Sequence, residues 1–358
     1  MLNAGRMLRV FVVCACVAAS LAVPSVKVAT ADAAASVRDA GTRRNTLDIA
    51  KAEFKNWNTA LGGALSAKDA SKVVALYSTE ANFLSYLPLT SGDHIKTTAG
   101  TTDYFVEFVK KNPSATLGED FFLKFDDNAF LHSGMYDIKM GDAGKETSSK
   151  GRFTYVWKKS GNDWKITHHH ESALPAKGRR SGSDLDQAAE ETTPFAEAFA
   201  LAAKAAAEAA ALPASRRKDA VTAQAEFKKW NDALLSKKTD SIKALYTDAA
   251  GELSVLPQDS PDHIKDKTAL NSYLESFVKK NPNCIITDEL VQAYNDNKIF
   301  LHSGLYHCFL GEMSKQVATA SRFSFVWKNT NTGSDAATNP TWKIVHHHSS
   351  VVPVPPCT

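Results

Sequence analysis

Residues 164–172 read WKITHHHES and residues 342–350 read WKIVHHHSS. Both alternate apolar with polar positions and favour aromatic and β-branched side chains, which is the pattern of a strand. Its presence twice leads outward to a duplication. AEFKNWNTAL from Ala52 returns as AEFKKWNDAL from Ala225, and YLPLTSGDHIK from Tyr86 as VLPQDSPDHIK from Val255. DYFVEFVKKNP, FLHSGMY and GRFTYVW recur in the same order as SYLESFVKKNP, FLHSGLY and SRFSFVW. A repeat near 170 residues is too long for a solenoid unit and fits a tandem pair of whole domains.

The chain therefore divides into a targeting segment (1–33), a first domain (45–176), an Ala-rich linker (177–219) expected to be helical, and a second domain (220–355). Within a copy, Phe54, Trp57, Ala60, Leu61 and Leu65 recur at helical spacing, so a long amphipathic helix opens the domain. A short helix through Val73, Val74 and Tyr77 follows, then a third from Thr102 to Lys110, stopped at Asn112-Pro113. The period then changes to two, as in antiparallel strands. The fold class expected is α+β: two tandem cone-shaped domains, each with a long N-terminal helix and short helices packed on a curved antiparallel sheet that encloses a cavity.

Lys and Arg exceed Asp and Glu by three among 358 residues, too small an excess to neutralise a phosphate backbone, so nucleic acid is not an expected partner. Arg6 and Arg9 precede an apolar run from Val10 to Val23 and small residues around Ala31, the layout of a signal peptide and shorter than a bilayer span. Entry into the secretory pathway follows, with an extracellular or periplasmic destination or an organelle such as a plastid reached through the ER, and no membrane attachment after processing. Of the five cysteines, only Cys284, Cys308 and Cys357 lie beyond that segment, all in the second half. The first copy shares the plan without any, so disulfides do not hold the fold, and a Cys284–Cys308 bridge is left open.

Strand alternation puts Trp164, Ile166, His168, His170 and Ser172 on one face, taken as the inner one, with Lys165, Thr167, His169 and Glu171 outside. The second copy repeats this with His346, His348 and Ser350 inside. Because Glu171 falls outside, both pockets are expected to be competent. Arg152 and Arg322 open the neighbouring strands, as structural ions or as anion holders. Histidines at i and i+2, His168 with His170 and His346 with His348, have the spacing to ligate zinc or another divalent metal, with His132 or His302 as the convergent third ligand. The preferred expectation is a site without cofactor. No GxSxG, phosphate loop, dinucleotide fingerprint or HExxH is present.

The LP step, the DYF block, RFTYVW and above all W-x-I-x-H-H-H-S-S resemble the association-domain family of calcium/calmodulin-dependent protein kinase II, and within it the iota-class carbonic anhydrases. The resemblance implies a cone of the nuclear-transport-factor-2-like type and reversible hydration of carbon dioxide to bicarbonate. It places the pocket at Tyr104, His170 and Ser172 in the first copy and Tyr273, His348 and Ser350 in the second. A Thr expected after LP falls on Leu89, with Thr90 adjacent, and on Gln258. Thr90, Arg152, His168, Arg322 and His346 are the further substrate-binding candidates. The alternatives are a non-catalytic oligomerisation or binding module and a small-molecule isomerase or dehydratase. The copies are expected to pair within the chain or with copies in other molecules as a homo-oligomer.

Overall fold

The computed structural model describes residues 46–63, 69–175, 195–312, 316–333 and 338–353. The targeting segment and the first part of the linker lie outside these. Among the described residues no helix is long and apolar enough to cross a membrane.

The first domain opens with helix α1 over residues 46–63. Its buried stripe, Ala50, Phe54, Trp57 and Leu61, has the four-three-four spacing of one helix face. There follow α2 (Ser71–Val74), β1 (Ser85–Leu87), α3 (Thr98–Phe108), and the long strands β2 (Ser114–Asp126), β3 (Ala129–Met140), β4 (Thr147–Ser160) and β5 (Asp163–Ala173). Helix α3 starts earlier than its apolar pattern suggests because the Thr97 side chain accepts from Gly100 N at 3.1 Å and caps it. Tyr77 is not helical and bridges to Ile166. The linker contributes α4 (Phe195–Ala210), and the second domain runs α5 (Ala214–Leu235), α6 (Thr239–Lys243), β6 (Ser254–Leu256), α7 (Lys267–Val278), β7 (Asn283–Tyr294), β8 (Ile299–Leu310), β9 (Val317–Asn329) and β10 (Trp342–Val351). Its opening helix therefore begins ahead of residue 220.

The two sheets have equivalent orders, β1-β5-β4-β3-β2 and β6-β10-β9-β8-β7. Each bends where β2 or β7 carries a register shift, between Leu117 and Asp120 and between Ile286 and Asp288. Glycine permits that bend. A Cβ on Gly134 would lie 2.2 Å from the Glu119 carbonyl oxygen, and one on Gly304 2.0 Å from that of Asp288. The concave faces hold the aromatic cores, with Phe153, Tyr155 and Trp157 in the first and Phe323, Phe325 and Trp327 in the second.

The convex faces pack on each other. Leu123, Phe125, Leu131 and Val156 of the first sheet form one apolar cluster with Tyr294, Leu301, Val326 and Val345 of the second. The copies thus pair within one chain. Helix α4 covers a patch that only the second domain possesses: Ala198 packs with Phe309, Ala318 and Ile285. Cys284 and Cys308 face each other across β7 and β8 and are bonded.

Candidate active site

The histidine strands do not alternate as their sequence suggests. In β5 the register shifts between Ile166 and His168, and in β10 between Ile344 and His346. Each shift inserts one residue and reverses every side chain beyond it. Ile166 therefore belongs to the concave core, whereas His168, His170 and Ser172 point out of the cone into the contact between the sheets. His169 and Glu171 point in. The inner-face assignment of His168, His170, Ser172, His346, His348 and Ser350 is corrected accordingly, and so is the outer placement of Glu171.

At the contact, all eight ring nitrogens of the four outward histidines meet hydroxyl groups. His168 contacts Ser85 at 3.1 Å and Ser324 at 2.9 Å; His170 contacts Ser324 and Ser350, both at 2.9 Å. His346 contacts Ser254 at 3.0 Å and Thr154 at 2.9 Å; His348 contacts Thr154 at 3.0 Å and Ser172 at 2.9 Å. Burial holds all four well below the ordinary imidazole pKa, so they are neutral. These residues do not fit a metal. Their lone pairs are committed to hydroxyl partners, and His132 and His302 sit on the opposite, concave side, held by Asp120 at 3.2 Å and Glu289 at 2.7 Å. Among the described residues no group of three His, Cys, Asp or Glu is disposed to hold a metal ion.

Arg152 and Arg322 lie on the same contact. Arg152 donates to Ser172 Oγ at 3.0 Å, to the carbonyls of Pro257 and Ser260 (3.3 Å), and to that of Ser349 at 3.2 Å. Arg322 mirrors it on Ser350 Oγ at 3.0 Å, Pro88 O at 2.5 Å, Ser91 O at 3.5 Å and Glu171 O at 2.7 Å. Burial draws them down to about 9 and about 10, which leaves both cationic at neutral pH.

Inside the second cone is a cavity of about 430 Å³, lined in part by Tyr273, Tyr306, His347, Ser349 and Asp259, with Arg152 in its wall. A chain of hydrogen bonds crosses its floor. Trp230 Nε1 donates to the Tyr246 hydroxyl at 3.2 Å, and that hydroxyl meets His347 Nδ1 at 3.0 Å. His347 Nε2 lies 2.6 Å from Ser349 Oγ, to which Tyr306 also donates at 3.1 Å. In the tautomer protonated at Nε2, Tyr246 donates to Nδ1 and His347 donates to Ser349. The Ser349 hydrogen is left to point at a ligand. Burial lowers His347 to about 3, so it is neutral. Burial, and then the Asp259 carboxylate that hydrogen-bonds to it, raise Tyr273 well above an ordinary phenol.

The first cone contains the same parts arranged differently. Trp57, Tyr77 and His169 repeat the chain at 3.2 and 2.8 Å. Where the second copy has Val255 and Ser349, the first has Tyr86 and Glu171. The Tyr86 ring stacks on His169 at 4.7 Å and 5°, and its hydroxyl donates to Glu171 at 3.0 Å, beside that of Tyr136 at 3.2 Å. Burial would raise the Glu171 pKa, but His169 and the two phenols outweigh it and the net shift is downward. Ring and carboxylate occupy in the first domain the positions that Val255 and Ser349 leave smaller in the second, and Tyr104 and Thr90 line a separate cavity with His94 and Lys96.

Tyr104 and Tyr273 lie where the DYF block places them. Thr90 touches Tyr104 at 3.3 Å, and its counterpart in the second copy is Asp259, one residue beyond Gln258. His347, Ser349, Tyr246 and Asp259 were missed. A bulge, invisible to a period of two, hid the first two; alignment of LPLT with LPQD was the available signal for the last.

A family model settles the ancestry. The calcium/calmodulin dependent protein kinase II association domain matches residues 50–175 and again 220–353. This chain belongs to that family, twice over. Solved structures similar to it include a Xanthomonas campestris protein assigned as such an association domain, with 28% identity, TM-score 0.32, and 35% of this chain and 86% of that one covered. Another is the CamKII hub homology domain of Chlamydamonas reinhardtii, with 18% identity, TM-score 0.28, and 35% and 98% covered. A third is the association domain of C. elegans CaMKII, with 18% identity, TM-score 0.29, and 36% and 96% covered. A comparison with curated proteins returns no match.

Proposed function

We propose that the second association domain is a carbonic anhydrase of the iota class, hydrating carbon dioxide reversibly to bicarbonate. The observation that carries this is one cavity lined by Tyr273, Asp259, His347 and Ser349, with His347 Nε2 2.6 Å from Ser349 Oγ. A water seated on the Tyr273 oxygen loses a proton to it as Tyr273 passes its own to Asp259, while the water oxygen bonds to carbon. Tyr273 stays a phenol throughout and relays rather than stores the proton. Charge developing on the bicarbonate oxygens meets the Ser349 hydroxyl hydrogen, with the buried Arg152 cation behind it. Asp259, paired with Lys280 and a quarter exposed, returns the proton to solvent. The first domain contributes the Arg152 cation and no reacting group of its own.

Stopped-flow hydration of carbon dioxide by the full chain tests this. Activity in the wild type, and loss of at least about 100-fold in His347→Ala and Tyr273→Phe, is expected. A folded protein without activity would sink the proposal. A cavity of about 430 Å³ is also the size that suits a small organic ligand, which keeps an isomerase or dehydratase as the second reading. Capture of such a ligand in the second cone would favour it.

The Cys284–Cys308 bridge supports the companion proposal that the protein works in an oxidising compartment reached through the secretory pathway. The N-terminal mass of the natural protein would show whether the leader is removed.

A further inference from the structure

Arg152 belongs to the first domain, yet three of the four groups it holds belong to the second. Pro257 and Ser260 bracket Gln258 and Asp259, and Ser349 lines the same cavity. One guanidinium, 1% exposed, therefore fixes the spacing between the loop that bears Asp259 and the strand that bears Ser349.

We infer that the first domain serves as a positioning element for the second, with Arg152 setting the distance between Asp259 and Ser349. The inference rests on the second cone being the active cavity. A planar fork holds its donors in one fixed geometry on three carbonyls, whereas an ammonium is a compact charge on a flexible stem and does not fix their spacing in the same way. Displacement of a reacting group by about 1 Å costs on the order of 100-fold in rate. The pseudo-equivalent Arg322 holds Pro88, Ser91 and Glu171 in the same way, but what it spaces is the first cone. Both arginines line the cavity of the second cone, and Arg152 is the one that holds the loop bearing Asp259.

The test compares wild type, Arg152→Gln, Arg152→Lys and Arg322→Gln as full chains by thermal melting, hydrogen exchange and carbon dioxide hydration. Similar falls in melting temperature are expected for Arg152→Gln and Arg322→Gln. Faster exchange over residues 257–260 and around 349 is expected only in the Arg152 variants, with kcat down about 100-fold and no rescue by Lys. Arg322→Gln loosens 88–91 instead and leaves exchange over 257–260 as in the wild type. Unchanged exchange over 257–260 in Arg152→Gln, or an undiminished kcat in a variant whose 257–260 segment is loosened, overturns the inference. If Arg152→Gln does not fold, Arg152→Lys, which keeps the charge, decides it. A wild type without hydration activity refutes the carbonic anhydrase reading by itself, and exchange alone then decides the clamp: loosening of 257–260 confined to the Arg152 variants upholds it, and uniform exchange overturns it.

Discussion

The imidazoles of His170 and His348 lie face to face at the domain contact, with ring centroids 3.7 Å apart and planes 12° from parallel. Two protonated rings at that distance would repel strongly in a dry site, so the stack requires both to be neutral.

Acid should therefore undo the protein. For these two rings and for His168 and His346, the folded pKa lies well below the unfolded value, so the unfolded chain binds more protons. Stability is full above the unfolded pKa of about 6.5 and is lost as the pH falls below it. From pH 7 to pH 5 each such imidazole costs about 2 kcal/mol, and four together approach the whole stability of a domain. Urea midpoints at pH 7, 6 and 5 should fall steeply. A flat profile would contradict the neutral contact.

The difference between the two cones predicts asymmetric mutants. Ser349→Glu, which imports the carboxylate of the first domain, should abolish hydration, whereas His169→Ala should leave it near wild type at a cost in stability of about 1–3 kcal/mol for the lost stacking and hydrogen bonds. Hydration rates and melting curves on the two variants check this. Equal inactivation by both would mean that the first cone also works.

Reduction of the Cys284–Cys308 bond should destabilise the second domain alone. Its sequence separation of 24 corresponds to a loop-closure contribution of about 3 kcal/mol. Domain-resolved hydrogen exchange with and without reductant should show the loss on β7 and β8 and leave β2 and β3 unchanged. A uniform loss would show that the domains unfold as one cooperative unit.

Helix α4 should act as part of the second domain. Ala198 is fully buried against Phe309 and Ala318, so Ala198→Asp places an unpaired charge on an apolar surface. A loss of about 3 kcal/mol or more is expected by chemical denaturation. A change within 0.5 kcal/mol of zero would show the helix to be a mere tether.

Much of this was legible in the residues. The duplication, the helical stripe through Phe54 and Trp57 and the strands follow from periodicity and repetition, whereas Tyr104 and Tyr273 were singled out by the family resemblance. The histidine faces did not follow, because one inserted residue in β5 and one in β10 reverse the alternation without altering composition. Nor could the sequence show that Tyr86 turns into the space vacated at Val255, since filling of a cone depends on which side chains share its interior. The helical linker was visible in its alanines, but its docking on Ile285, Phe309 and Ala318 depends on an apolar patch whose equivalents in the first copy are Thr116, Lys139 and Ser148.

Joining the copies in one polypeptide has an evolutionary consequence. In a pair of identical molecules every substitution appears twice, so a Glu that closes one cone would close both. Within a single chain Glu171 and Ser349 coexist. One half is free to accumulate packing residues while the other keeps its opening, and dilution never separates them.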